Sequence, residues 1–248
     1  MQKKIVVGGI LLFGAVVGII FYATSLRGVP TETPESGSAT LLPPGSYTEH
    51  AALYDIAANY PTTTPLKAEA NSAALALIKS FVGNTIDEFK TGGDFARRKT
   101  TPSQDRKESL QITYLIASSP RTVSYIFTVY EDTLGAHGNM FFRTFTFNTA
   151  TGATLSLADL FTANAPYLDT LSHMSRAKLP RLIGDSADPE FIKNGTSSND
   201  KNFENFFFDN KDFVILFAPY QVAPYAAGPQ TFRIKVADLA NILKPEYR

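Results

Sequence analysis

The sequence predicts an α+β fold, in which antiparallel sheets pack against helices, preceded by one N-terminal transmembrane helix. Three patterns support this prediction. An unbroken apolar run covers residues 5–23, a helical period covers residues 66–89, and later segments are rich in aromatic and β-branched residues. Because helical and strand-like patterns occupy separate blocks of the chain, they indicate an α+β protein rather than an α/β protein.

The first 27 residues are expected to anchor the chain in the cell membrane. Lys3 and Lys4 precede the apolar run, and Arg27 follows it. A helix over the run would be roughly 28 Å long, close to the hydrocarbon thickness of a bilayer. Because cationic flanks stay on the cytoplasmic side, we expect a single-pass protein with a cytoplasmic N-terminus and an extracytoplasmic C-terminal domain. The alternative is a cleaved signal peptide, whose apolar core would be shorter.

Two glycines in the predicted membrane helix are a candidate contact with a partner helix. Gly14 and Gly18 have the spacing that lets two membrane helices approach closely, although glycines are common in such helices.

Residues 28–46 follow as a linker, because their prolines, serines and threonines cannot build an apolar core.

A strand and a long helix are expected next. Residues 54–60 predict a strand that ends at Pro61. From residue 66 to residue 89, apolar residues recur with a period near 3.6, which predicts a helix with one buried face. Gly92 and Gly93 then end the helix.

The middle of the chain predicts a hairpin and a further strand. Residues 110–117 and 123–130 are rich in aromatic and β-branched residues, and the segment between them contains Pro120 and reads as a turn. Residues 140–147 follow as a strand with alternating phenylalanines.

The C-terminal third mixes short helices with a second hairpin and a dense aromatic core. The expected elements are a short helix at 157–161, a helix at 167–183 interrupted near Pro180, a polar loop at 185–202, strands at 206–208, 213–217 and 232–236, and a last helix at 237–243. The resulting division is a signal-anchor at 1–27, a linker at 28–46, an N-terminal part of the extracytoplasmic domain at 47–130, and a C-terminal domain at 131–248.

Composition narrows the chemistry that this chain can carry out. It has no cysteine, which excludes disulfides and thiol catalysis. Its 23 basic and 23 acidic residues show no dense basic patch, so no nucleic-acid partner is expected. His50, His137 and His173 lack the spacing of metal ligands, and we found no cofactor-binding motif. No metal and no cofactor are therefore expected.

Four segments carry a resemblance to a known family. They are the loop Gly135-Ala136-His137-Gly138-Asn139, the loop at 217–229, the turn at 151–152 leading into 157–161, and the end of the chain at 243–247. Over about residues 130–247 the chain resembles a bacterial family of extracytoplasmic domains of unknown function. That domain type forms the outer part of the lysozyme-sensing anti-sigma factor RsiV and accompanies the catalytic domain of the peptidoglycan deacetylase PdaC.

The resemblance implies an envelope-facing recognition domain for lysozyme or for wall glycan. Two departures limit what it carries over. Only four residues precede the predicted membrane helix, too few for the segment with which an anti-sigma factor holds its sigma factor. The deacetylase needs a metal-binding catalytic domain with an aspartate and a His-x-x-x-His pair, and this sequence contains no such domain.

His137 is a candidate ligand-binding residue. Its flanking glycines permit positive φ and leave the imidazole uncrowded, and Glu131, Asp132 and Asn139 are near enough in sequence to orient the ring. The alternative is structural, with His137 fixing the turn through bonds to backbone carbonyls. Asn139 is included with it as a candidate ligand contact.

Tyr220, Tyr225 and Arg143 complete the set of ligand-binding candidates. Rigid tyrosines in a proline-rich loop suit a flat sugar face or a protein partner, but they could equally cap the edge of the core. On an alternating strand, Arg143 shares a face with Phe141 and Phe145, as either a buried ion-pair member or a ligand contact.

We therefore expect a membrane-anchored, non-catalytic recognition module for a cell-envelope component or for lysozyme. One alternative is a signalling subunit that acts through a partner membrane protein. A less favoured alternative is a peptidoglycan hydrolase. That chemistry needs two carboxylates roughly 5–9.5 Å apart, and the neighbouring Glu131 and Asp132 would point to opposite faces of a strand.

Overall fold

A computed structural model describes residues 44–92 and 107–248. These residues form two sheets and a small number of helices. In these ranges the strands are β1 (Pro44–His50), β2 (Tyr54–Pro61), β3 (Glu108–Ser118), β4 (Thr122–Asp132), β5 (Asn139–Asn148), β6 (Thr154–Leu155), β7 (Phe206–Asp209), β8 (Asp212–Phe217) and β9 (Gln230–Lys235). The α-helices are α1 (Ala68–Gly92), α2 (Tyr167–Ile183) and α3 (Pro189–Gly195). Short 3₁₀ helices cover Ala158–Leu160, Gly184–Ser186, Asp200–Phe203, Tyr225–Ala227, Val236–Leu239 and Pro245–Tyr247. The predicted α+β class is confirmed.

The first sheet has its strands in chain order, β1 to β6. Every neighbouring pair is antiparallel except β2 and β3, which run parallel with Ile56 opposite Leu110. A parallel pair needs a crossover connection, and α1 lies in the connection between these two strands. The expectation of antiparallel sheets is therefore correct for all pairs except this one.

Helix α1 covers one face of the first sheet. Its buried residues Ala74, Ile78, Val82, Ile86 and Phe89 recur every three or four positions, as the helical period predicted. They pack against Phe127 of β4 and against Ile56, Ala58, Leu110 and Ile112, which alternate with more exposed residues along β2 and β3. The buried faces of the helix and of the strands together form the first hydrophobic core.

The second sheet, β7-β8-β9, holds the aromatic core that the phenylalanine-rich segment predicted. Phe208 and Phe213 lie edge to face, with ring centroids 5.3 Å apart. Phe217 and Phe232 are fully buried in the same cluster. Helix α2 and residues 157–161 pack on this core.

Buried hydrogen bonds join the two sheets. Ser124 and Thr146 share a hydroxyl–hydroxyl bond of 2.8 Å, and the Thr146 hydroxyl also lies 3.2 Å from the Phe206 carbonyl. The Thr144 amide donates to the side chain of Asn205. The described residues belong to one compact unit, and the predicted boundary between residues 130 and 131 falls inside β4.

Several predicted element boundaries need correction. The polar loop expected at 185–202 contains α3, because Asp188 caps the amides of Glu190 and Phe191 and Pro189 occupies the first helical position. Helix α2 continues through Pro180 without interruption. Strand β1 begins at Pro44, within the expected linker, and the last predicted helix is a single 3₁₀ turn, Val236–Leu239.

The predicted anchor lies outside the described residues, as do Gly14, Gly18 and most of the linker. Within residues 44–92 and 107–248, no helix is both long and apolar enough to cross a bilayer. The prediction of a transmembrane helix at residues 1–27 therefore stays a prediction.

A charged cluster attaches β1 to the end of α1. Lys90 and the hydroxyls of Tyr47 and Tyr54 donate to the Glu49 carboxylate, and Lys90 contributes most to lowering the pKa of Glu49 from its ordinary 4.5 to about 2. Because the carboxylate is more acidic in the folded state, its contribution to stability is complete above pH 4.5. That contribution is lost as the pH falls toward 2.

We therefore expect the stability difference between wild type and Glu49→Gln to shrink as the pH is lowered from 4.5 to 2. The measurement is chemical denaturation of both proteins across this range. Glu246→Gln, at an exposed position near the chain end, is the control and should follow wild type. A Glu49→Gln difference that stayed constant across the range would contradict the assignment.

Candidate ligand-binding platform

The two loops singled out in the sequence meet in the structure. One loop, residues 133–138, joins β4 to β5, and the other, residues 218–229, joins β8 to β9. The His137 ring stacks on Tyr225 with centroids 3.9 Å apart and an interplanar angle of 17°. The Tyr220 hydroxyl lies 3.1 Å from Nε2 of His137, and the Tyr220 and Tyr225 rings are 5.5 Å apart. We call His137, Tyr220 and Tyr225 the aromatic platform.

Hydrogen bonds fix the orientation of the His137 ring. Its Nδ1 lies 2.9 Å from the Gly138 carbonyl, which can only accept, so Nδ1 carries a proton. In the neutral ring, Nε2 then accepts from the Tyr220 hydroxyl. The Tyr225 hydroxyl donates to the same Gly138 carbonyl at 2.9 Å. One backbone carbonyl thus holds both stacked rings.

The glycines beside His137 act differently from the prediction. Positive φ occurs at Leu134, at 63°, and not at Gly135 or Gly138, while the Leu134 amide donates to Asp132. Gly138 is needed for space, since a Cβ there would lie 2.2 Å from the Tyr130 hydroxyl oxygen. The His137 ring bonds a backbone carbonyl, as the structural interpretation expected, and it also bonds a phenol from another loop.

Tyr220 is held in a strained conformation. Its φ is 68°, a region that residues other than glycine rarely occupy, and it is 51% exposed. The neighbouring Gln221 fixes the loop, because its amide donates to the carbonyls of Asn202 and Gly195 and its oxygen accepts from Ala218. A bulky side chain kept exposed at a backbone cost is a common feature of functional loops.

Burial raises the pKa of the supporting phenols further above their ordinary value of 10.0. Desolvation is the largest cause that raises the pKa of Tyr225, and it also raises the pKa of Tyr130 beneath the loop. Both groups therefore remain hydroxyls, able to donate hydrogen bonds at physiological pH. The platform offers an exposed ring, an imidazole and polar edges, a combination suited to stacking with directed hydrogen bonds.

Two of the five predicted site residues lie outside the platform. Asn139 is exposed at the start of β5, directly after Gly138. Arg143 lies four residues further along β5, roughly 13 Å away. Its guanidinium lies 5.2 Å from the Phe145 ring centroid and 3.6 Å from Glu204, but both charged side chains are about half exposed, so this is not the buried ion pair that the sequence left open.

The other histidines are separate from the platform. His50 bonds Asp55 at 2.9 Å between β1 and β2, and His173 is exposed on α2. In the part of the chain that the structure describes, no three histidine or acidic side chains are arranged to hold a metal ion.

Sequence reasoning missed a cleft along β5. The cleft has two adjoining sections of about 580 and 420 Å³, both lined by Leu77, Arg143, Phe145 and Glu204. Leu77 belongs to the apolar period of α1, but it is 39% exposed and lines the cleft. No sequence signal marks the cleft, because its walls come from α1, β5, residues 154–159 and residues 200–204.

Comparison with known proteins gives the chain a family context. Residues 158–237 match the family model described as "Protein of unknown function (DUF3298)". The chain is 31% identical over 196 residues to the peptidoglycan-N-acetylmuramic acid deacetylase PdaC of Bacillus subtilis, covering 78% of this chain and 40% of the deacetylase. It is 22% identical over 153 residues to the immunogenic protein MPT64 of Mycobacterium tuberculosis, covering 61% of this chain and 65% of that protein.

A solved structure shares the fold. A DUF3298 family member from Bacteroides fragilis superposes with a TM-score of 0.59 at 16% identity, covering 83% of this chain and 94% of that one. The predicted likeness to PdaC is confirmed, and the predicted likeness to RsiV stays a prediction. The segment that matches the DUF3298 family model, residues 158–237, contains both tyrosines of the platform.

Proposed function

We propose that this chain is a non-catalytic recognition module of the bacterial cell envelope and that its ligand is peptidoglycan. The observation that carries the proposal is the aromatic platform, an exposed group of rings already fixed in one arrangement by Gly138 and Gln221. Rigid rings bury area at a small entropic cost when they bind, which favours stacking on the flat faces of sugars.

Peptidoglycan is chosen from the relationship to the deacetylase. PdaC is named for action on peptidoglycan, and the chain corresponds to 40% of its length. A non-catalytic module that accompanies a peptidoglycan enzyme would serve that enzyme by binding the same polymer. An N-terminal anchor at residues 1–27 would place this module on the outer side of the membrane, where such a polymer is found.

The acidic residues of the β5 cleft support a non-catalytic role. Asp159 accepts from both the amide and the hydroxyl of Ser156, which lowers the pKa of Asp159 and keeps it ionised. Asp200 accepts from the Tyr167 hydroxyl, and Glu204 pairs with Arg143. A glycosidase needs one carboxyl that stays protonated to act as the acid, and the hydrogen bonds from Ser156 favour the charged form of Asp159 instead.

The proposal predicts that Tyr220→Gly weakens peptidoglycan binding without lowering the stability of the fold. Glycine adopts φ of 68° without strain, so the free energy of unfolding should stay equal to that of wild type or rise by about 1 kcal/mol. Binding to purified peptidoglycan should fall roughly tenfold or more, because the exposed ring is lost. Sedimentation of the full chain with insoluble peptidoglycan measures the binding, and chemical denaturation measures the stability.

Matched histidines provide the control. His137→Ala should weaken peptidoglycan binding, whereas His173→Ala, at another exposed histidine, should bind as wild type does. Immobilised lysozyme is tested in parallel. If wild type binds lysozyme but not peptidoglycan, lysozyme is the ligand and the choice of peptidoglycan is refuted. If peptidoglycan binding survives both Tyr220→Gly and His137→Ala, the role of the platform is refuted.

A further inference from the structure

The β5 cleft exists because β5 is only partly covered by its neighbour. Strand β6 pairs with β5 at Thr146 and Phe147, and the earlier residues of β5 form an edge of the sheet. Helix α1 borders this edge on one side, and residues 200–204 border it on the other. Asn205 accepts from the Thr144 amide and so holds the second wall against the strand.

The cleft combines apolar surfaces with charges of both signs. Leu77 is exposed, and Phe81 and Phe141 are partly exposed along the second section. Arg143 and Lys201 supply cationic donors, and the acceptors are Asp159, Asp200 and Glu204. Ser80 and Asn84 add neutral polar groups along α1. The carboxylates would repel a strongly anionic polymer, and the two basic residues would repel a strongly cationic one. The lining therefore favours a ligand without strong net charge.

We infer that the β5 cleft binds an oligosaccharide chain of N-acylated sugars, as a second site separate from the aromatic platform. Hydroxyl and amide groups both donate and accept hydrogen bonds, so they suit a lining of mixed sign. The pyranose faces would contact the partly exposed rings and Leu77. Each section, at about 580 and 420 Å³, falls in the range of established ligand pockets, which is roughly 300–1,000 Å³.

Arg143 occupies the centre of this site. It lines both sections, lies over the Phe145 ring, and pairs with Glu204 across the cleft. The side chains of Arg143 and Glu204 are 47% and 51% exposed, so water covers the pair and a ligand can replace that water. The choice of an N-acylated sugar rests on the proposed function, whereas the position of the cleft rests on geometry alone.

The test uses the full chain and a soluble tetrasaccharide of β-1,4-linked N-acetylglucosamine, titrated by calorimetry. Leu77→Arg places a long charged side chain into both sections and should weaken binding roughly tenfold or more. Leu182→Arg is the matched control, since Leu182 is an exposed leucine of α2 that lines neither section. It should bind the tetrasaccharide as wild type does. Tyr220→Gly should also retain binding, because the platform is a separate site.

The outcomes separate this inference from the proposed function. If wild type sediments with peptidoglycan but does not bind the tetrasaccharide, or if Leu77→Arg binds it normally, the cleft site is refuted while the proposed function stands. If Leu77→Arg abolishes tetrasaccharide binding while Tyr220→Gly and His137→Ala both leave peptidoglycan binding unchanged, the cleft site stands and the platform is refuted. Loss of tetrasaccharide binding in Leu182→Arg to the same degree would also overturn the inference.

Discussion

Gly195→Ala is expected to destabilise the protein by about 2–3 kcal/mol and to abolish ligand binding at the platform. A Cβ at this position would lie 1.9 Å from the carbonyl oxygen of Gln221 and 2.7 Å from its carbonyl carbon. Both are backbone atoms, so no side-chain rotation can relieve the overlap. Either the end of α3 or the loop that carries Tyr220 must move.

The effect on binding follows from the position of Gln221. This residue directly follows Tyr220, and its amide bonds Gly195 and Asn202. Displacing its carbonyl shifts Tyr220 away from His137. Thermal or chemical denaturation measures the loss of stability, and sedimentation with peptidoglycan measures the loss of binding.

Gly83→Ala is the control for this prediction. Gly83 lies inside α1, and a Cβ there meets no atom within 4 Å, so alanine should stabilise the helix by roughly 0.5–1 kcal/mol. If both alanine variants changed stability equally, the close approach at Gly195 would have no energetic role.

Gly152→Ala is expected to destabilise the protein by roughly 2–4 kcal/mol, from two independent causes. Gly152 lies in the turn between β5 and β6 with φ of 77°, which a residue with a Cβ adopts at a cost. The added Cβ would also lie 2.1 Å from the Cβ of Ala70 in the first turn of α1. Unfolding by denaturant gives the size of the combined effect.

A double-mutant cycle separates the two causes. Ala70→Gly removes the facing Cβ and lowers helix propensity, but it leaves the backbone angle at Gly152 unchanged. In that background, Gly152→Ala should cost only the backbone strain, about 1 kcal/mol. Equal costs of Gly152→Ala in the two backgrounds would show that the contact between the turn and α1 contributes nothing.

Local patterns predicted much of the fold. The helical period near 3.6 predicted α1 correctly, because one face of that helix is buried along almost its whole length. The hairpin of β3 and β4 followed from two aromatic, β-branched runs around a turn. Helix α3 was missed because Asp188 and Pro189 are capping signals in a polar stretch with few apolar residues.

The candidate site was predicted only in part. His137, Tyr220 and Tyr225 were recognised as unusual loop residues, but nothing in the sequence showed that the two loops touch, since 83 residues separate His137 from Tyr220. The strain at Tyr220 could not be foreseen, because a tyrosine in a proline-rich loop normally takes negative φ. Arg143 was identified correctly as a neighbour of Phe145 from strand alternation, but its partner Glu204 comes from a distant loop.

The sequence by itself determined the class of the fold, most strands and helices, the aromatic composition of the core, and the absence of cysteine chemistry. These properties depend on the period of apolar residues and on residue type, and both are local. The tertiary structure alone decided the parallel pairing of β2 with β3, the meeting of the two loops, and the cleft along β5. Each of these brings together residues far apart in the chain, and such contacts depend on how complete elements pack rather than on any local pattern.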